Sequence, residues 1–214
     1  MQKLKDLSRI LDIGIVGIVR AESADQAIRM AEACRAGGIT AIEITFTVPG
    51  AAAAIEAVTK QFKNDVIPGA GTVLDPETAR IAILSGARFV VSPSLSADTA
   101  RLCNRYQVAY MPGAGSVRDI VDALECGAEI IKLFPGETLT PAFIKACKGP
   151  LPQASLMPTS GVSVDNVAGW IQAGAVAVGV GGNLTASAKH GDYKTVTDLA
   201  SRFISEIRRA REGR

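Results

Sequence analysis

Two ionisable residues stand where an apolar strand should tolerate none: Lys132 inside EIIKLFP and Glu43 inside AIEITF. An ammonium buried in such a run is costly unless it is paired or loses its charge, and a desolvated lysine amine is a nucleophile at neutral pH. Taken alone, Lys132 also fits a strand-end lysine that snorkels to solvent or pairs with a structural carboxylate. Glu43 shifts the balance. The alternating side chains of a strand direct Glu43 and Thr45 to one face, and opposite charges at interior positions of two strands are expected to meet. A buried ion pair contributes little net stability. The two are therefore read as catalytic, an amine able to form an imine with a carbonyl substrate beside a carboxyl group for proton transfer.

Further polar residues close other apolar runs. Arg20 ends IVGIVR, where a guanidinium can grip a carboxylate through two parallel hydrogen bonds; a surface arginine flanking a helix is the alternative. Thr72 in GAGT and Thr159 in PTSG can hold a substrate oxygen or merely cap a turn. PTSGVS and GVGGN look like a backbone-amide cradle for phosphate, because glycine lets the chain approach an anion and helix N-termini aim N–H groups at it. His190 is the single histidine, so no cluster of nitrogen ligands for a catalytic metal is expected.

The elements that must position these groups are legible as eight Val- and Ile-rich runs: 15–20, 40–46, 66–71, 88–92, 108–113, 129–134, 155–161 and 175–180. Each leads into a segment of helical spacing, such as Ala27, Met30, Ala31 and Cys34 at i, i+3, i+4 and i+7. Several of those segments end in a shared glycine pattern, CRAGGI, LSGARF, LECGAEI and IQAGAVAV, where glycine supplies the left-handed residue after the last turn. Near-continuous apolar strands are covered on both faces, which implies parallel pairing with helices outside. Eight units of roughly 25 residues predict an α/β fold, a single-domain (β/α)8 TIM barrel over 1–214; an open doubly wound sheet is the alternative. Residues 1–12 read as an extra N-terminal helix and 192–212 as the last barrel helix. In such a barrel, chemistry sits at the C-terminal ends of the strands.

Bulk composition agrees. With 214 residues, 48% hydrophobic and 21% charged, the chain can bury one substantial core. A net charge of +2 and a basic cluster at Arg208, Arg209, Arg211 and Arg214 without aromatic companions suggest a solvated helix end and no nucleic-acid partner. No signal peptide and no membrane span are expected. Cys34, Cys103, Cys126 and Cys147 are widely spaced, which predicts reduced thiols in a cytoplasmic protein.

In order along the chain stand IVR at Arg20, IEITFTVPGA around Glu43, GAGTVL around Thr72, VSPSL around Pro93, YMPGAGS around Pro112, KLFPGE around Lys132 and PTSGVSVDNV around Thr159. This set resembles, essentially end to end, the 2-keto-3-deoxy-6-phosphogluconate / 2-keto-4-hydroxyglutarate aldolases, pyruvate-dependent class I enzymes. The resemblance implies Lys132 as the Schiff-base lysine and Glu43 as the general acid/base. Arg20, Thr72 and Thr159 would contact the pyruvate half, and Pro93 and Phe134 would shape the pocket. Gly161, Gly181 and neighbouring backbone amides would hold a distal phosphate, with Ser160 and Gly182 also counted as substrate-binding. It further implies a homotrimer, a keto-deoxy sugar acid as substrate and no cofactor beyond the imine.

Three positions depart from the family pattern. Thr47 stands where some members carry arginine, so the substrate carboxylate should rest mainly on Arg20. Ser160 replaces a second glycine, and Gly182, followed by Asn183, replaces a serine. The last two lie at the phosphate end and leave open a phosphogalactonate homologue or an unphosphorylated acid as substrate. A phosphate-binding isomerase or epimerase barrel and a non-catalytic binding barrel are the rivals outside aldol chemistry.

Overall fold

β-branched runs too short to be helices become parallel strands here, and each leads into a helix. The computed structural model describes residues 1–213; Arg214, the last member of the basic cluster, lies outside them. Helix α1 (Gln2–Ile13) precedes β1 (Ile15–Val19), followed by α2 (Ala24–Ala36), β2 (Ala41–Thr45), α3 (Ala51–Phe62), β3 (Ile67–Gly71), α4 (Pro76–Leu84), β4 (Phe89–Val91) and α5 (Ala97–Tyr106). The second half runs β5 (Ala109–Met111), β6 (Gly113–Ala114), α6 (Val117–Glu125), β7 (Ile131–Leu133), α7 (Pro141–Lys148), β8 (Leu156–Pro158), α8 (Val167–Ala173) and β9 (Val178–Val180). The short α9 (Gly182–Thr185), a 3-10 turn and the long α10 (Tyr193–Glu212) complete the chain.

Local sequence explains the boundaries. Helices α2, α4, α5 and α6 start at Ser23, Asp75, Ser96 and Ser116, whose side chains accept the amide N–H three residues on. Gly38, Gly86, Gly127 and Gly174 all adopt positive φ behind their helices, as the shared glycine pattern predicts.

All strand pairings are parallel. A curled six-stranded sheet has the order β5-β4-β3-β2-β1-β9, and a three-stranded sheet the order β6-β7-β8. Two features join their margins. Only Pro112 separates β5 from β6, and Thr159, just past β8, forms a parallel bridge to Gly179 in β9.

The strands are shorter than their apolar runs. The run 108–113 is cut at Pro112, which has no N–H for the ladder, although its carbonyl still accepts from Lys132 N at 2.9 Å. The run 155–161 stops at Pro158 because Ser160 and Gly161 turn to positive φ. In 175–180 only the last three residues pair as strand.

Side chains alternate between two cores. Ile15, Ile42, Ile44, Val90, Ile131, Leu156 and Val178 pack outward against helix faces. Val16, Ala41, Ile67, Phe89, Val91, Met111, Ile130, Met157 and Ala177 form an inner cluster. Leu7 and Ile10 of α1 join that inner cluster at the strands' N-terminal ends. There Asp6 is buried against Arg88, whose Nε donates to Asp6 Oδ2 at 2.9 Å.

The C-terminal cluster is not uniformly solvated. Arg211 donates to the carbonyls of Leu11 and Asp12, both at 2.7 Å, satisfying the exposed C-terminal end of α1. Cys34, Cys103 and Cys147 are buried free thiols, and Cys126 is a half-buried one. Burial pushes the Cys34 and Cys103 thiols up to about 12. Among the described residues no helix is long and apolar enough to cross a membrane.

Candidate active site

The period of two that builds the inner cluster also builds the site above it. Moving two or four residues toward the C-terminal ends from Val16, Ala41, Ile67, Val91, Met111, Ile130, Met157 and Ala177 reaches Arg20, Glu43, Gly71, Pro93, Gly113, Lys132, Thr159 and Gly179. Hydrophobic residues fill the lower layers of this face. Charged and small ones occupy the top.

There all of them but Gly71 and Gly113 line a cavity of about 400 Å³. Every residue expected to act on or bind the substrate lines it: Arg20 just past β1, Glu43 on β2, Thr72 past β3, Pro93 past β4, Lys132 on β7 with Phe134 beyond it, Thr159, Ser160 and Gly161 past β8, and Gly181 and Gly182 past β9; Thr45, buried on β2, does not. Thr47 and Asn183 join them.

Glu43 and Lys132 are 2% and 5% exposed. They share the cavity without forming a direct ion pair or hydrogen bond among the described residues. Burial raises the Glu43 pKa above the usual carboxylate range, and the charges of Lys132 and Arg20 only partly oppose it. Nζ of Lys132 lies 4.9 Å from the centre of the Phe134 ring, which keeps one side of it apolar.

Two glycines permit this packing. A Cβ at Gly71 would overlap the Glu43 carboxylate, and one at Gly179 would overlap the Thr159 hydroxyl. Both side chains lie flat across a neighbouring strand in space that only glycine leaves.

Arg20 is exposed at the rim, within the field felt by Glu43. It forms no ion pair among the described residues, which leaves its fork available to a ligand carboxylate. Thr72 sits at φ 57, unusual for a threonine. The next residue is held on both sides: Val73 N donates to Val91 O at 3.1 Å, and its carbonyl accepts the Ser92 hydroxyl.

Sequence reasoning passed over three contributors. Ser92 is one. Tyr110 is another; its buried hydroxyl accepts from Ser96 N at 3.1 Å and donates to Ser94 O at 3.3 Å, bracing the loop that carries Pro93. The third is Glu137, whose carboxylate accepts the Ser160 hydroxyl at 2.8 Å inside the same cavity. Glu137 lay in plain view within KLFPGE, but a glutamate in a loop breaks no apolar pattern. No group of three or more potential metal-ligating side chains occurs among the described residues.

Comparison with known proteins points one way. The family model for KDPG and KHG aldolase matches residues 7–199. A 2-dehydro-3-deoxy-phosphogluconate aldolase of Treponema pallidum is 34% identical over 199 residues, 91% of this chain and 94% of that protein. A 2-dehydro-3-deoxy-6-phosphogalactonate aldolase of Escherichia coli is 29% identical, over 92% of this chain and 95% of that one. Among solved structures, the KDPG aldolase of Legionella pneumophila, with pyruvate captured as a covalent carbinolamine, superposes with a TM-score of 0.80 at 26% identity. That match covers 88% of this chain and 92% of the other.

Proposed function

The chain belongs to the KDPG and KHG aldolase family of pyruvate-dependent lyases, and on that premise we propose that it cleaves 2-keto-3-deoxy-6-phosphogluconate to pyruvate and glyceraldehyde 3-phosphate through an imine on Lys132. The observation that carries this is the buried Lys132 in one cavity with a buried Glu43 and an ion-pair-free Arg20.

The neutral amine of Lys132 adds to the C2 ketone, giving a carbinolamine that loses water to a protonated imine. Glu43 takes the C4 hydroxyl proton, directly or through a water, as the C3–C4 bond breaks. The aldehyde departs, and the bonding pair moves into the imine as an enamine. Protonation of C3 and hydrolysis by water release pyruvate and free the amine. The imine is the electron sink, so the scheme requires no metal. Burial raises the Glu43 pKa toward the working pH, the direction that serving in turn as base and acid requires.

Arg20 receives the substrate carboxylate, while Thr72 and Thr159 hold oxygens of the pyruvate half. Pro93 and Phe134 form the apolar walls. Ser160, Gly161, Gly181 and Gly182 line the far end, where backbone amides face the terminal group. Cleavage of 4-hydroxy-2-oxoglutarate to pyruvate and glyoxylate fits the same chemistry, and the galactonate relative keeps 2-keto-3-deoxy-6-phosphogalactonate as the second reading.

We take residues 1–214 as one domain and its sheets as a closed (β/α)8 barrel with α1 added in front, supported by the Pro112 junction and the Thr159–Gly179 bridge. A homotrimer is favoured by exposed Ile81 and Leu84 on α4, with exposed Leu74 just before the helix and exposed Tyr106 against Arg80 of the same helix. Four free thiols favour the cytoplasm.

Borohydride added with pyruvate should tag Lys132 irreversibly, read by peptide mass spectrometry and lost in Lys132→Ala. An adduct on another residue, or none, would overturn the mechanism. Insensitivity to this treatment would favour an isomerase or epimerase.

A further inference from the structure

The far end of the cavity carries a charge that the reaction at Lys132 does not use. Four charged side chains line the cavity. Of the two cations, Lys132 belongs to the pyruvate half, and Arg20, assigned to the substrate carboxylate, also brings Nη1 to 3.2 Å from where a Cβ on Gly181 would lie. The carboxylates are Glu43, beside Lys132, and Glu137, which sits with Ser160 and Gly161 where the substrate's terminal group must lie.

Glu137 is held there. Ser160 donates its hydroxyl to Glu137 Oε1 at 2.8 Å, and the Glu137 Cγ lies 2.8 Å from the position a Cβ on Gly161 would occupy. The two loops are also joined through their backbones, Gly136 N donating to Thr159 O at 2.8 Å. Ser160 accomplishes this at φ 77, a left-handed conformation that glycine adopts without strain and serine does not. What serine adds over glycine at this position is the hydroxyl that anchors Glu137.

Nearby, the Asn183 side-chain N–H donates to Val162 O at 2.8 Å. Apart from the Arg20 fork beside Gly181, the side-chain groups left for a ligand there are thus acceptors, the second carboxylate oxygen of Glu137 and the amide oxygen of Asn183. Acceptors suit sugar hydroxyls, whereas a phosphate dianion meets like charge at Glu137.

We propose that Ser160 and Glu137 form a selectivity element that narrows the preference for a phosphorylated terminus of the keto-deoxy acid and so admits a hydroxylated, uncharged one. Glu137 is the specificity-determining residue and Ser160 positions it. Backbone amides can still hold a phosphate; the pair narrows the preference for it. This rests on the aldolase reading of Lys132.

The test compares kcat/KM for 2-keto-3-deoxygluconate with and without its 6-phosphate, in the unmutated enzyme, Glu137→Gln and Ser160→Gly. Glu137 is exposed, so solvent screening limits the effect. In Glu137→Gln the phosphorylated-to-unphosphorylated ratio should rise about fivefold, chiefly through KM of the phosphorylated substrate. Ser160→Gly, which also relaxes the backbone, should move the ratio the same way by a smaller factor. A flat or falling ratio in Glu137→Gln would overturn the proposal, and so would a Ser160→Gly ratio that moves the other way. Pyruvate trapping in the unmutated enzyme separates the two levels. With trapping intact, a flat ratio removes only the role of the pair; without trapping, the aldolase reading falls and this inference with it.

Discussion

The carboxylate of Glu43 lies over the α-carbon of Gly71 on the adjacent strand, in space that a single methyl group would fill. Strands β2 and β3 are in register from Ala41 opposite Ile67 to Thr45 opposite Gly71, so the glycine cannot shift aside without breaking the ladder. Gly71→Ala should therefore displace Glu43 while leaving the fold intact. Overpacking of this kind costs about 1–3 kcal/mol, and a misplaced proton-transfer group lowers kcat by about 100-fold. Thermal melts and steady-state kinetics on the one variant check both.

Glu43→Gln keeps the shape and removes the titration. Turnover should fall by about 10²–10⁴ while imine formation with pyruvate stays measurable by trapping. The unmutated enzyme should show an acid limb in kcat for cleavage lying above the usual carboxylate range, because burial raises this group; the variant should lose that limb. The stability consequence has a definite sign. A carboxyl group with a raised folded-state pKa stabilises the fold below its unfolded pKa, and that contribution is lost as pH rises through the folded value. Glu43→Gln should consequently be the more stable protein at neutral pH, with the gap in melting temperature closing as the pH falls toward 4.

Arg20→Lys tests the carboxylate grip. Lysine keeps the charge and loses the two-pronged geometry. KM for the keto acid should rise by about tenfold, the loss expected for one charge-assisted hydrogen bond, with a smaller change in kcat. An unchanged KM would place the substrate carboxylate elsewhere.

Tyr110→Phe removes the hydroxyl that braces the Pro93 loop through Ser94 and Ser96. About 1–2 kcal/mol of stability should be lost. KM should rise, since Pro93 forms one wall of the cavity. A melting-temperature loss with unaltered kinetics would show that the loop holds its position without the phenol.

Asp6→Asn addresses the opposite end of the strands. Asp6 is 2% exposed at its side chain and pairs with the partly exposed Arg88. Its neutralisation should cost about 2–3 kcal/mol in chemical denaturation, because Arg88 keeps some access to water. Turnover at saturating substrate should not change, as the pair lies below the inner hydrophobic layers and away from Lys132.

Much of this architecture is written in local sequence. Strand alternation, helix caps at Ser23, Asp75, Ser96 and Ser116, and the left-handed glycines behind four helices each depend on a few neighbouring residues. They are readable for that reason. Lys132 and Glu43 were conspicuous on the same logic, since a charge within an apolar run breaks a pattern that short segments display. Strand parity even implies that they face the same way, because each lies two residues beyond a member of the inner cluster, Ile130 and Ala41.

Tertiary structure decided what parity cannot express. Glu43 and Lys132 were expected to meet, yet they line a shared cavity without pairing, a separation set by strand spacing and curl. Pro112 splits one apolar run into two strands that belong to different sheets. Arg211, grouped by composition with solvated arginines, caps a helix about 200 residues earlier in the chain. Ser92 reaches the turn at Val73, and Glu137 reaches Ser160, across loops that no periodicity links. Local sequence determines which way a side chain points. Which distant residue it then meets depends on how the strands are ordered and how far the sheet curls, and those are properties of the whole chain.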